Sequence, residues 1–175
     1  MKRTKKYLLD FQIDKLTNSI ENVVTKDSFK TEVLPVTKSE LKNISKKNGW
    51  KFDWNNEFRV QDCTVYKLVI IENTNVIQGL ISLTPTQDNV FMNLIETAPF
   101  NFGKNKMYLG VPGNLVAFAC RQSFNRGTDG YVSFRSKTQL IEHYVETLGA
   151  VHFGGHLMII NTQAALKLIE KYYNK

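Results

Sequence analysis

The sequence predicts a mixed α/β domain in which an antiparallel meander runs into a βαβ unit. Three observations carry that expectation. Between residues 65 and 97, apolar β-branched runs are separated by short turn-forming segments. Beyond Pro99 the apolar period changes from two to helical spacing. Glycines then fall where those helical patterns end, at Gly127 and Gly149.

In chain order, Phe29 to Val36 reads as a short strand closed by Pro35 and Thr37. Thr37 and Glu40 stand at capping-box spacing before a short amphipathic helix carrying Leu41 and Ile44, and Gly49 ends it. Trp50, Phe52 and Trp54 alternate with Lys51 and Asp53, as in a strand or an aromatic loop over a core. The meander follows as Val65–Ile71, Val76–Leu83 and Val90–Thr97. Its connections are too short for parallel crossovers, so the neighbours must be antiparallel.

A loop containing Gly103, Gly110 and Gly113 leads to a helix over about Asn114–Arg126, with Leu115, Val116, Ala119, Cys120 and Phe124 on its apolar positions. Tyr131–Phe134 is a strand. Thr138–Leu148 is a helix with Leu140, Ile141, Tyr144, Val145 and Leu148 on one face. Val151–Ile160 is a strand interrupted by Gly154 and Gly155, and Thr162–Tyr173 a terminal helix.

Composition narrows the class. With 175 residues, 42% hydrophobic and 22% charged, the chain suits one ordinary globular domain. No apolar run reaches the roughly 18 residues of a membrane span. The basic start is followed by too few apolar residues for a signal peptide. Cys63 and Cys120 form neither a disulfide framework nor a metal motif, so a reduced cytoplasmic setting is expected.

The net charge of +7 is unevenly placed. Four of the bases, Lys2, Arg3, Lys5 and Lys6, belong to the first six residues, whereas residues 89–175 hold nine bases against five acids. An acid-poor half suits a phosphate-bearing ligand and equally an ordinary basic surface.

The strongest local signal is Tyr108-Leu109-Gly110-Val111-Pro112-Gly113-Asn114, a glycine-containing loop opening a helix after a strand. Such a loop can turn backbone N–H groups toward a phosphate, and a helix N-terminus adds partial positive charge. A tight turn without a ligand uses the same residues. The spacing is that of neither a P-loop nor a dinucleotide fingerprint.

The order of elements and this loop together resemble the GNAT acyltransferases, the N-acetyltransferases that use acetyl-CoA. The resemblance covers about Val65 to Tyr173. It implies a GNAT-like fold with an acyltransferase core over residues 65–173 and a substrate-shaping part over 1–64. Ile95-Glu96-Thr97-Ala98-Pro99 looks like the family's strand end, whose backbone aligns the pantetheine arm. Leu109, Gly110, Val111, Gly113, Asn114 and Leu115 look like its pyrophosphate loop. Met107 stands where the family has Gln or Arg, and Pro112 stands in place of the second glycine, removing one N–H donor. Gly130-Tyr131-Val132-Ser133-Phe134 resembles the next strand, with Ser136 beyond it on the cofactor side.

The resemblance also places Tyr144 at the family's tyrosine that protonates the departing CoA thiolate. A positioned phenol can supply that proton. Tyr144 shares its helix face with Ile141, Val145 and Leu148, so a core tyrosine is the competing reading. Glu96 ends the third meander strand, where a buried glutamate would suit a general base and an exposed one a plain surface.

His152 and His156 have two glycines between them and no third ligand, which argues against zinc. Cys120 lies on a buried helix face as a small hydrophobe, and no histidine pairs with Cys63. Trp50, Phe52, Trp54 and Phe58 read as core packing or as the floor of a substrate pocket.

Two functions follow as expectations. The first is an N-acetyltransferase that moves an acetyl group from acetyl-CoA, its co-substrate, to a primary amine of a small molecule or peptide. It would use no metal and no membrane, as a monomer or homodimer. The second is a non-catalytic CoA-binding or interaction module. Its basic tail would make weak nucleic-acid contact, for which aromatic interleaving gives little support.

Overall fold

A computed structural model describes residues 7–17 and 19–173; Lys2, Arg3, Lys5 and Lys6 of the basic tail lie outside them. The strands are β1 (Ile20–Asn22), β2 (Ser28–Phe29), β3 (Thr31–Pro35), β4 (Thr64–Ile70), β5 (Gly79–Pro85), β6 (Val90–Thr97), β7 (Tyr108–Leu109), β8 (Val132–Arg135), β9 (Val151–His152) and β10 (Leu157–Ile160). The α-helices are α1 (Trp54–Arg59), α2 (Val111–Asn125), α3 (Ile141–Leu148) and α4 (Thr162–Tyr173). One sheet has seven strands in the order β3-β4-β5-β6-β8-β10-β9, and a second joins β2, β1 and β7.

The meander is antiparallel throughout β4, β5 and β6, as short turns require. The chain then crosses through α2 to β8, which lies parallel to β6. That crossover is the expected βαβ unit. α2 packs on β5, β6 and α4, and its residues from Val111 to Cys120 are all buried. A helix apolar on every side over this length belongs inside the molecule.

Several boundaries differ from the sequence expectation, each for a local reason. The expected strand Phe29–Val36 is two strands, β2 pairing with β1 and β3 with β4. The second meander strand begins at Gly79, because Val76 to Gln78 complete the turn and the Gln78 N–H donates to the Leu68 carbonyl at 2.8 Å. α2 starts three residues early. Gly110 caps it in the left-handed region, and Pro112 falls in the first turn, where a missing N–H costs no hydrogen bond.

Trp54 opens a helix, not an alternating strand or loop: the Asp53 carboxylate accepts the Asn56 N–H at 3.0 Å and caps α1. Val151–Ile160 is a hairpin, with Gly154 and Gly155 both at positive φ in its turn. Residues 138–140 form a 3-10 turn leading into α3, which ends at Gly149 in the left-handed region.

The aromatics after Gly49 are mainly packing. Trp50 and Trp54 are buried, while Phe52 and Phe58 are half-buried against the same core. Cys120 is fully buried, and burial pushes its thiol up to about 12, as befits a small core side chain. No helix among the described residues is long and apolar enough to cross a membrane.

The predicted capping box is present: the Thr37 N–H donates to the Glu40 carboxylate at 2.9 Å. Lys67 of β4 pairs with the same carboxylate. Burial pushes Glu40 up, but Lys67 and Thr37 together outweigh it and hold the carboxyl below its ordinary value of 4.5. A carboxyl depressed in the folded state contributes stability above its unfolded value. That contribution fades as pH falls through the folded value. Glu40→Gln is therefore expected to lower the melting temperature at pH 7 and to narrow its gap to wild type below about pH 4. Melting curves across that range measure it, and a constant gap would exclude the ionised pair as the cause.

Candidate functional site

β6 and β8 begin side by side and then part. Their register pairs Val90 with Val132 and Phe91 with Ser133 and goes no further. Beyond Phe91, the edge of β6 that faces β8 has no strand partner among the described residues. A cleft of about 690 Å³ opens along this edge, walled on one side by Ile95, Glu96 and Thr97. Pro112 of α2 also lines it, and Phe52, Pro99 and Phe102 contribute apolar surface. The opposite wall is the segment 10–14, through Asp10, Phe11, Gln12 and Asp14.

Glu96 faces the cleft but is largely buried, and three donors converge on it. The Lys51 N–H lies at 2.7 Å, the Trp54 indole N–H at 2.7 Å and the Phe52 N–H at 3.4 Å. The carboxylate thus ties the segment 51–54 to the end of β6. Ala98, next but one, is buried and donates its N–H to the Gln78 carbonyl at 3.0 Å.

The glycine loop is covered. The Gly110 N–H donates to the Asp14 carboxylate at 3.1 Å, and the second oxygen of Asp14 pairs with Lys106 at 3.1 Å. Gly110 has φ of +93°, and a Cβ there would lie 2.7 Å from the Ser19 carbonyl. At Gly113 a Cβ would run into Tyr172 and come within 3.0 Å of Leu16. Leu109 pairs with Glu21 of β1. Val111, Asn114 and Leu115 are buried, with the Asn114 amide donating to the Thr31 hydroxyl at 2.9 Å.

Ser136 and Tyr144 are both fully buried. Ser136 donates its hydroxyl to the Lys137 carbonyl at 2.7 Å and bridges in parallel to Leu9. The Tyr144 hydroxyl donates to the Phe11 carbonyl at 2.6 Å, and its ring packs between Phe11 and Phe134 at centroid distances of 4.7 and 5.2 Å. Burial, with Asp10 nearby, pushes the phenol well above its ordinary value and so keeps it protonated. The side chain occupies the core position that its helix face allowed.

The structure thus sets Ile95, Glu96 and Thr97 on the cleft, while Gly110, Gly113, Ser136 and Tyr144 lie beneath residues 9–17. His152 and His156 each engage a carbonyl, of Gly155 and Ser136 respectively. No group of three metal-ligating side chains occurs among the described residues. The residues that sequence reading missed are Asp10, Phe11 and Asp14. Their partners are distant in sequence, and residues 7–17 carry no periodicity or motif that announces the contacts.

No family model matches the chain, and no curated protein matches it in sequence. Solved structures match it in fold. A spermidine N-acetyltransferase from Vibrio cholerae, in complex with CoA and spermine, is similar over 78% of this chain and 98% of its own. The identity is 15% and the TM-score 0.51. A GNAT-family acetyltransferase from Staphylococcus aureus Mu50 matches over 75% of this chain and 99% of its own, at 10% identity and a TM-score of 0.50. A KacTA–DNA complex matches over 79% and 98%, at 12% identity and a TM-score of 0.53. The chain has the GNAT fold.

Proposed function

We propose that the protein is an N-acetyltransferase that moves an acetyl group from acetyl-CoA to a primary amine. The observation that carries this reading is the parting of β6 from β8, which leaves an unpaired strand edge along a cleft beside the N-terminal end of α2. An extended arm with amide groups can pair with such an edge as a further strand would. Two of the structural neighbours are acetyltransferases, and one of those is a complex with CoA and spermine, which supports the same chemistry here.

In this reading the neutral amine attacks the thioester carbonyl, the new C–N bond forms and the C–S bond breaks. The amine then gives up a proton and the thiolate takes one. Glu96, at the end of β6, is the carboxylate assigned to accept the first, and Tyr144 the phenol assigned to supply the second. Holding the two reactants side by side along β6 supplies much of the rate gain.

The test is thermal stability and turnover with acetyl-CoA and a panel of small and peptide amines. A saturable rise in melting temperature with acetylated product is the expected result. A rise without turnover would turn the reading to a non-catalytic CoA-binding module, and no rise at millimolar acetyl-CoA would defeat both. Tyr144→Phe is expected to lower kcat by about 100-fold with acetyl-CoA binding retained. An unchanged kcat would remove Tyr144 from the chemistry.

A further inference from the structure

The wall of the cleft opposite β6 is made by the chain itself. Residues 7–17 run along the side of the opening where β8 turns away, and they contact each part of the site assigned above. The Leu9 N–H donates to the Arg135 carbonyl at 2.7 Å, and the Lys137 N–H returns to the Leu9 carbonyl at 3.1 Å. The segment is therefore an added parallel partner at the end of β8. Its Phe11 carbonyl takes the Tyr144 hydroxyl. Its Ile13 N–H donates to His143 Nε2 at 2.9 Å.

At the glycine loop, Asp14 places a carboxylate on the Gly110 N–H, the kind of donor an anionic group would use at a helix N-terminus. Leu16 and Thr17 cover Gly113 and Gly110. These contacts are independent of one another, and they fall on the strand end, the phenol and the loop in turn.

We infer that residues 7–17 are an intramolecular strap that holds the acetyl-CoA site closed, with the Asp14 carboxylate standing in for a phosphate at Gly110. The inference rests on the acetyltransferase reading. Its content is a competition: the strap and the cofactor use the same Gly110 N–H, and the Tyr144 hydroxyl reaches a thiolate only after leaving Phe11. Apparent affinity for CoA is then the intrinsic affinity reduced by the fraction of molecules with the strap displaced.

The strap's contacts suggest how to loosen it. Ile13→Pro removes the N–H that His143 accepts, and Asp14→Asn removes the charge shared between Gly110 and Lys106. CoA binding is measured by calorimetry on the full chain, for wild type and for the double variant carrying both substitutions. The expected result is at least roughly tenfold tighter binding in the variant. Equal, measurable affinity in the two proteins would overturn the strap and leave the acetyltransferase reading standing. No binding by either protein would overturn that reading and the strap with it.

A second measurement needs no variant. Hydrogen exchange on wild type with CoA should speed up at the Leu9 and Ile13 amides as the strap is displaced. CoA bound with those amides equally protected would overturn the inference.

Discussion

Trp54→Ala is expected to destabilise the protein by about 3–5 kcal/mol, the range for truncating a large aromatic in a core. Trp54 is among the largest side chains with no solvent exposure at all. Two effects combine. The cavity forfeits the contacts of the indole, and Glu96 loses one of its three donors while remaining largely buried. A buried carboxylate with a missing donor accounts for about 1–3 kcal/mol of that loss. Trp54→Phe separates the two, because it keeps most of the volume while removing the indole N–H. Denaturant midpoints should place the phenylalanine variant between wild type and alanine. Equal losses in both variants would assign the whole effect to the hydrogen bond.

Gly110→Val is expected to be comparably damaging, with a loss of about 2–4 kcal/mol, for reasons of backbone conformation and space. The residue sits at φ +93°, where a β-branched side chain is strained. Its Cβ would also collide with Thr17 and approach the Ser19 carbonyl. The collision lies on the segment that covers the loop, so the substitution should loosen residues 14–17 before it disturbs α2. Hydrogen exchange would show this as lost protection at Gly110 with the middle of α2 still protected. Uniform loss of protection along α2 would mean that the helix start itself had failed.

Neither residue lines the cleft itself, but each holds in place a segment that does. Trp54 holds the segment 51–54 onto the end of β6 through Glu96. Gly110 permits the close approach of Asp14, Thr17 and Ser19 to the start of α2. Each contact joins residues far apart in the chain, which is why neither contact is visible as a pattern in the sequence.

The meander was legible because its signals are local. The β-branched runs at 65–71 and 90–97 and the turn at 72–75 fall within a few residues of one another, and the terminal helix keeps its period from Thr162 to Tyr173. α1 was missed because Trp50, Phe52 and Trp54 imitate a period of two, while the Asp53 cap that starts the helix is a single side chain. The hairpin at 151–160 was read as one strand because its two glycines looked like an interruption and not a reversal.

The candidate site divides in the same way. The amino-acid order by itself determined an antiparallel sheet running into a βαβ unit, with a glycine loop at the start of the crossover helix and Glu96 at the end of a strand. Those features depend on propensity, turn chemistry and period, which act over a few residues. Only the tertiary structure decided that Tyr144 faces Phe11 and that Asp14 holds the Gly110 N–H. It also decided that residues 10–14 line the cleft. These contacts span 96 to 133 positions, and they form because β6 and β8 part, leaving polar backbone and an apolar groove to be covered. Burial of that surface, with its hydrogen bonds satisfied, selects the covering segment, and no local signal in residues 7–17 foretells it.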